Sequence, residues 1–119
     1  MAPISRLSLR RLELPLHRPY RLSYRTFETF EPYLVEVEDA DGRTGFADAH
    51  ISPGSSSETR EGGWAFLCRR LAESVGLEPG AAKAAALAHF AESKVATTAL
   101  VSALEVLEGN RLLGFPQAA

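Results

Sequence analysis

Every strand-like stretch of this 119-residue chain lies before residue 50, and every helical one lies after residue 61. That order points to an α+β fold, in which a sheet made early in the chain is backed by helices made later. The expected architecture is a three-stranded antiparallel β-meander followed by a bundle of about three helices. The length suits one domain spanning residues 1–119, with a single modest core.

Within the first half, Leu7 and Leu9 alternate with polar residues, and Leu12 and Leu14 alternate in the opposite parity. One strand with a bulge near Arg10 and Arg11 accounts for the change, and Pro15 is expected to end it because proline cannot donate to a ladder. Residues 20–24 read as a short continuation and residues 25–32 as a loop. Residues 33–38 (YLVEVE) and Thr44–Ala49 (TGFADA) are β-rich and flank Asp39-Ala40-Asp41-Gly42-Arg43, where Gly42 is free to take positive φ. They form an antiparallel hairpin, which Leu7 to Leu14 completes as a meander.

Residues 50–61 are rich in Ser, Pro and Gly and form a loop. After it, Trp64, Leu67, Cys68, Leu71 and Val75 share one helical face, which Gly76 closes. Pro79-Gly80 reads as a break. An alanine-rich helix follows over residues 81–92, with Ala84, Leu87, Ala88 and Ala91 along one side. Residues 94–108 carry Ala96, Leu100, Ala103 and Leu107 as a stripe, with Val95, Ala99 and Val106 beside it. Only a narrow polar band remains, so this helix is expected to be covered on most sides. Gly109 stops it, and Gly114-Phe115-Pro116 is a second stop.

The formal net charge is −2, which gives no reason to expect nucleic acid as a partner. Residues 1–25 hold six arginines and one acid, whereas residues 26–61 hold nine acids and two arginines. Pairing across neighbouring strands is the simpler account of that split, and arginines facing an anionic ligand the sharper one. No apolar run is long enough to cross a bilayer or resembles a secretory signal. With Cys68 as the one cysteine, the chain is expected to be cytoplasmic.

Few residues invite a chemical role. His17, His50 and His89 fall in no metal-ligand spacing. A calcium loop beginning at Asp39 needs glycine at its sixth position and glutamate at its twelfth, and Thr44 and His50 stand there instead. Phosphate-binding glycine loops and a serine elbow are absent. Ser55 and Glu58 have capping-box spacing. Tyr20, Tyr24, Phe27, Phe30 and Tyr33 cluster in one weakly periodic stretch, where they pack a core or line a pocket.

Leu14-Pro15-Leu16-His17-Arg18-Pro19-Tyr20, Asp41-Gly42 with Thr44 to Ala49, Ser57-Glu58-Thr59 and the stretch from Ala99 to Pro116, taken in that order, resemble the N-terminal capping domain of the mandelate racemase/muconate lactonizing enzyme family of the enolase superfamily. Leu14-Pro15-Leu16-His17-Arg18-Pro19-Tyr20 matches its "PL..P"-aromatic opening. Asp41-Gly42 and Thr44-Gly45-Phe46-Ala47-Asp48-Ala49 match its "DG" turn and "G.GEA" strand, with Ala47 for glycine and Asp48 for glutamate. Ser57-Glu58-Thr59 matches "sgET". The stretch from Ala99 to Gly109, with Leu113-Gly114-Phe115-Pro116, matches the last helix, except that Glu105-Val106 replaces a Trp-Asp pair.

The resemblance implies a cover over a (β/α) barrel that this chain does not contain. Members are racemases, epimerases, cycloisomerases and dehydratases that abstract a proton α to a carboxylate. Their bases and their ligands for a divalent metal, usually Mg²⁺, lie on the barrel, so no catalytic or metal role is carried over to a residue here, and a metal is expected only with the barrel. What carries over is a lid of two loops, roughly residues 17–32 and 50–61. Tyr24, Arg25 and Phe27 from the first, and His50 and Ser52 from the second, are the expected contacts to a small carboxylate substrate, with Arg25 partnering its anionic group. The alternative is a free-standing small-molecule-binding or self-associating module, so the expected partner is a barrel domain or a second copy. Neither nucleic acid nor membrane is expected.

Overall fold

The computed structural model describes residues 2–21, 23, 26–52 and 58–109. Its clearest element is the hairpin of β4 (Tyr33–Asp39) and β5 (Thr44–Ala49), paired antiparallel from Tyr33↔Ala49 to Glu38↔Thr44. Alternation decides which face is inside. Tyr33, Val35, Val37 and Asp39 are buried, whereas Leu34, Glu36 and Glu38 between them are only half-buried. Gly42 turns the chain at φ 85°. On the far side of β4 runs β1 (Ile4–Arg11), with Leu7 opposite Val37 and Leu9 opposite Val35, so the sheet order is β1-β4-β5.

Asp39 shows why the hairpin closes where it does. Its fully buried carboxylate accepts from the backbone N–H groups of Asp41 and Arg43 and from Arg43 Nε, each at 2.9 Å. Burial by itself raises the carboxyl pKa. The backbone and side-chain hydrogen bonds from Arg43 and the backbone bond from Asp41 outweigh it and hold the group below the ordinary carboxylate range. A pKa lowered on folding contributes stability above the unfolded value, about pH 4, and that stability is lost as pH falls through the folded value. Asp39→Asn is therefore expected to lower the melting temperature at pH 7 and to converge on the parent below about pH 4. An equal difference at pH 7 and pH 3, read by circular dichroism, would contradict this.

The parity change in the leucines has a different cause from a bulge. The chain leaves the sheet after Arg11, and Leu14 opens β2 (Leu14–Arg21), which pairs antiparallel with β3 (Thr26–Phe30) in a separate two-stranded sheet. Pro15 sits inside a strand rather than ending one, because a two-stranded ribbon leaves each strand an unpaired edge where the missing N–H is tolerated. Residues 26–30 are a strand, not the expected loop. Most of β2 is exposed, so this ribbon has no inside and outside for the sequence to record.

Three helices back the sheet. α1 (Arg60–Ser74) begins at Thr59, whose side chain accepts from Gly62 N–H at 3.0 Å. Its buried face is Gly63, Phe66, Leu67, Arg70, Leu71 and Ser74, rotated from the expected one, and Cys68 and Val75 are exposed. The rotation is possible because the buried polar residues find local partners. Ser74 Oγ donates to the Arg70 carbonyl at 2.7 Å, and the Arg70 guanidinium lies 5.6 Å from the Phe66 ring centroid and 3.2 Å from Glu73.

The break expected at Pro79-Gly80 is the start of α2 (Pro79–Leu87), with proline in the first turn where its missing N–H costs nothing. The helix ends at Leu87, and residues 88–92 are turns. Its inner face is Pro79, Ala82 and Ala86, whereas Ala84, Leu87, Ala88 and Ala91 are exposed. α3 (Lys94–Leu107) matches its expected stripe, burying Ala96, Thr97, Ala99, Leu100, Ala103, Leu104 and Leu107. Lys83 ties α2 to α3 through Glu108 and Glu105, and its pKa is raised, chiefly by the Glu108 bond. The small residues of α3 let it lie directly on β5 at Gly45.

Candidate functional site

At one end of the sheet, β1 ends at Arg11, β4 begins at Tyr33 and β5 ends at Ala49, all in register. Two excursions leave from this end. One is the β2–β3 ribbon, and the other starts at His50. The structure brings them together. The ring centroids of Phe30 and His50 are 4.7 Å apart, and Tyr20 meets Phe30 edge-on at 5.7 Å. Ile51 roots the second segment in the core at 2% exposure, leaving His50 and Ser52 half-buried on either side of it. Gly63 lies beneath this root, where a Cβ would stand 2.1 Å from Ile51 Cδ1 and the Ile51 side chain would have to shift.

Both excursions are fastened where they rejoin the fold. Arg60 Nη1 donates to the Glu31 carbonyl at 2.9 Å, and Tyr33 Oη donates to the Arg60 carbonyl at 2.9 Å. Glu58 Oε1 accepts from Ser93 Oγ at 2.8 Å and from Val95 N–H at 2.9 Å. The carboxylate thus satisfies a free donor at the N-terminus of α3, where its charge also suits the helix dipole. Glu58 caps α3 and Thr59 caps α1, while Ser55, the other half of the expected capping box, lies outside the described residues.

Of the expected contacts, His50 and Ser52 stand at this end of the sheet. The backbone of Phe27 lies in β3 opposite Tyr20, and Tyr24 and Arg25 lie outside the described residues. Phe30 was legible only as a member of the aromatic cluster, and Arg60 carried no signal beyond its charge. His17 is exposed on β2, and His89 pairs with Glu92 at 2.6 Å beyond the end of α2. The expected cross-strand pairing of charges is weak. Arg6 stands opposite Glu38 and Ser8 Oγ bonds Glu36, yet among the described residues Arg6, Arg10 and Arg11 make no ion pair. No three His, Cys, Asp or Glu side chains among the described residues come together to ligate a cation.

No family model matches the chain. An L-Lys-D/L-Arg epimerase of Methylococcus capsulatus is 31% identical over 66% of this chain and 27% of its own length. The structure of a dipeptide epimerase from Methylococcus capsulatus, complexed with Mg and the dipeptide L-Arg-D-Lys, superposes with a TM-score of 0.78 at 28% identity, covering 94% of this chain and 32% of that one. A mandelate racemase/muconate lactonizing protein from Herpetosiphon aurantiacus superposes with a TM-score of 0.70 at 25% identity, over 89% of this chain and 29% of that one. The fold of the chain is that of the N-terminal domain of mandelate racemase/muconate lactonizing enzymes.

The residues that carry the family likeness now have physical places. Asp41 and Gly42 make the β4–β5 turn, and Gly45 admits α3. Glu58 and Thr59 cap α3 and α1. Leu113-Gly114-Phe115-Pro116 lies outside the described residues. The chain spans about a third or less of these family members, and no helix among the described residues is long and apolar enough to cross a membrane.

Proposed function

We propose that this chain is the substrate-covering domain of a family enzyme that abstracts a proton α to a carboxylate, the chemistry being carried by a (β/α) barrel outside the chain. The observation that carries the reading is the uneven overlap with the dipeptide epimerase, 94% of this chain against 32% of that one. The contact between Phe30 and His50 supports it as well, since a cover made of two excursions has to bring them together.

In this reading the β2–β3 ribbon and the segment from His50 close over the substrate and exclude water. Tyr24, Arg25 and Phe27 contact it from one side, His50 and Ser52 from the other, and Arg25 pairs with an anionic group. In this reading the metal, magnesium in the dipeptide epimerase structure, is held by the barrel, and no step is assigned to it here. A cytoplasmic location is part of the same reading, resting on the lone cysteine.

The test is a chimera in which this chain replaces the N-terminal domain of the Methylococcus dipeptide epimerase. His50→Ala and Ser52→Ala are each expected to raise KM, by up to about tenfold, with kcat nearly unchanged, because they remove binding contacts rather than reacting groups. An active chimera whose KM is indifferent to both changes would overturn the assignment of these residues to the cover.

A further inference from the structure

On the helix-facing side of the sheet, Arg11, Tyr33, Arg60, Glu61 and Trp64 line a cavity of about 590 Å³. This is within the usual range for small-molecule sites. Arg11 shares the inward parity of Leu7 and Leu9, so its side chain leaves the end of β1 toward α1. Arg60 and Trp64 are one turn apart on α1. Tyr33 organises the floor. Its ring stacks under the Arg60 guanidinium at 5.1 Å and meets Trp64 edge-on at 5.1 Å, while its hydroxyl donates to the Arg60 carbonyl.

The protein uses only part of the donors of this cavity. Arg60 Nη1 bonds the Glu31 carbonyl. Nη2 is buried and lies 3.3 Å from Glu31 Oε2, but outside hydrogen-bond geometry. Arg60 nevertheless lines the cavity with a side chain that is 21% exposed, and a carboxylate is the acceptor that fits a guanidinium fork. Arg11 adds a second guanidinium with no ion pair or side-chain hydrogen bond among the described residues. Trp64, half-buried, offers an apolar wall beside them. Glu61 at the rim sets the limit on charge, since it repels a second anionic group.

We propose that this cavity binds a small organic monocarboxylate, its carboxylate held between Arg11 and Arg60 and its apolar body against Trp64. The site is built wholly from this chain and needs neither a barrel nor a metal, so it goes beyond the covering role and stands or falls apart from it.

Trp64 is the chain's one tryptophan, which makes its fluorescence a direct readout. Benzoate and phenylacetate, titrated into the 119-residue chain, are expected to give a saturable change, while benzamide and acetate are not. Arg11→Gln, at an exposed position away from the core, is expected to weaken benzoate binding about tenfold or more without changing the melting temperature of the free chain. Arg60→Lys keeps the charge but loses the planar fork, and is expected to weaken it as well. Absence of a saturable response to either acid up to about 10 mM would overturn the proposal. So would an equal response to benzamide, or benzoate binding indifferent to Arg11→Gln.

Discussion

Replacing Gly45 with valine is expected to leave the chain unfolded at room temperature. A Cβ at this position would stand 2.1 Å from the Ala103 carbonyl oxygen, 2.6 Å from Leu107 N and 3.0 Å from Leu107 Cα. All three are backbone atoms of α3, so no side-chain rotation relieves the clash. The helix itself has to retreat, and with it Leu100, Leu104 and Leu107, which are at most 3% exposed. Overpacking commonly costs about 1–3 kcal/mol where side chains can adjust. Here they cannot, so alanine is expected to cost about 3 kcal/mol or more and valine to exceed the few kcal/mol that a domain of this size holds in reserve. Gly80→Ala is the internal control. Gly80 lies in α2 with nothing within 4 Å of its would-be Cβ, and the change is expected to stabilise by up to about 1 kcal/mol. Urea unfolding followed by circular dichroism distinguishes the cases. A Gly45→Val chain with the parental midpoint would show that α3 does not rest on β5 at this point.

The second large effect is at Phe66. Its side chain is 1% exposed, between α1 and the rest of the core, and truncating a buried phenylalanine to alanine costs about 3–5 kcal/mol. Phe66 has a further task. It lies beneath the Arg70 guanidinium, whose Nε and Nη1 are buried without a hydrogen-bond partner among the described residues and whose ion pair is to an exposed Glu73. Without the ring, that charge keeps only its pair with Glu73 among the contacts that offset its burial. Phe66→Ala is therefore expected at the upper end of the range, with Phe66→Leu recovering most of the packing but not the stacking. If Phe66→Ala and Phe66→Leu melted together, the ring's contact with Arg70 would be of no consequence.

The parts of this fold that the sequence records are those where one face is buried and the other is wet. β4 alternates between buried and half-buried residues, and α3 carries a stripe of alanines and leucines, so both were legible to within a residue or two of their ends. The β2–β3 ribbon was not, because a two-stranded element exposed along most of its length imposes no pattern. α1 was legible as a helix but not in its rotation. The face it buries contains Arg70 and Ser74, which hydrophobicity excludes and which local hydrogen bonding and stacking admit. Pro79 misled for a simpler reason, since a proline that ends one helix and a proline that begins the next look alike without the flanking turn.

At the candidate site, Ser57-Glu58-Thr59 was legible only through family likeness. The physical content of two of its residues is two caps, one of them on a helix that begins 35 residues away from Glu58 at Ser93. His50 and Ser52 were legible as loop residues following a strand. That His50 meets Phe30 depends on the pairing of β2 with β3, which local sequence does not reveal.

The covering role is tested most directly by proton exchange. The chain alone, then the chain joined to a family barrel, is incubated with magnesium and a dipeptide in deuterated water, and loss of the α-proton signal is followed by NMR. The chain alone is expected to leave that signal intact over a time in which the joined protein exchanges it fully. Magnesium-dependent exchange by the 119 residues on their own would place the chemistry within them and contradict the account.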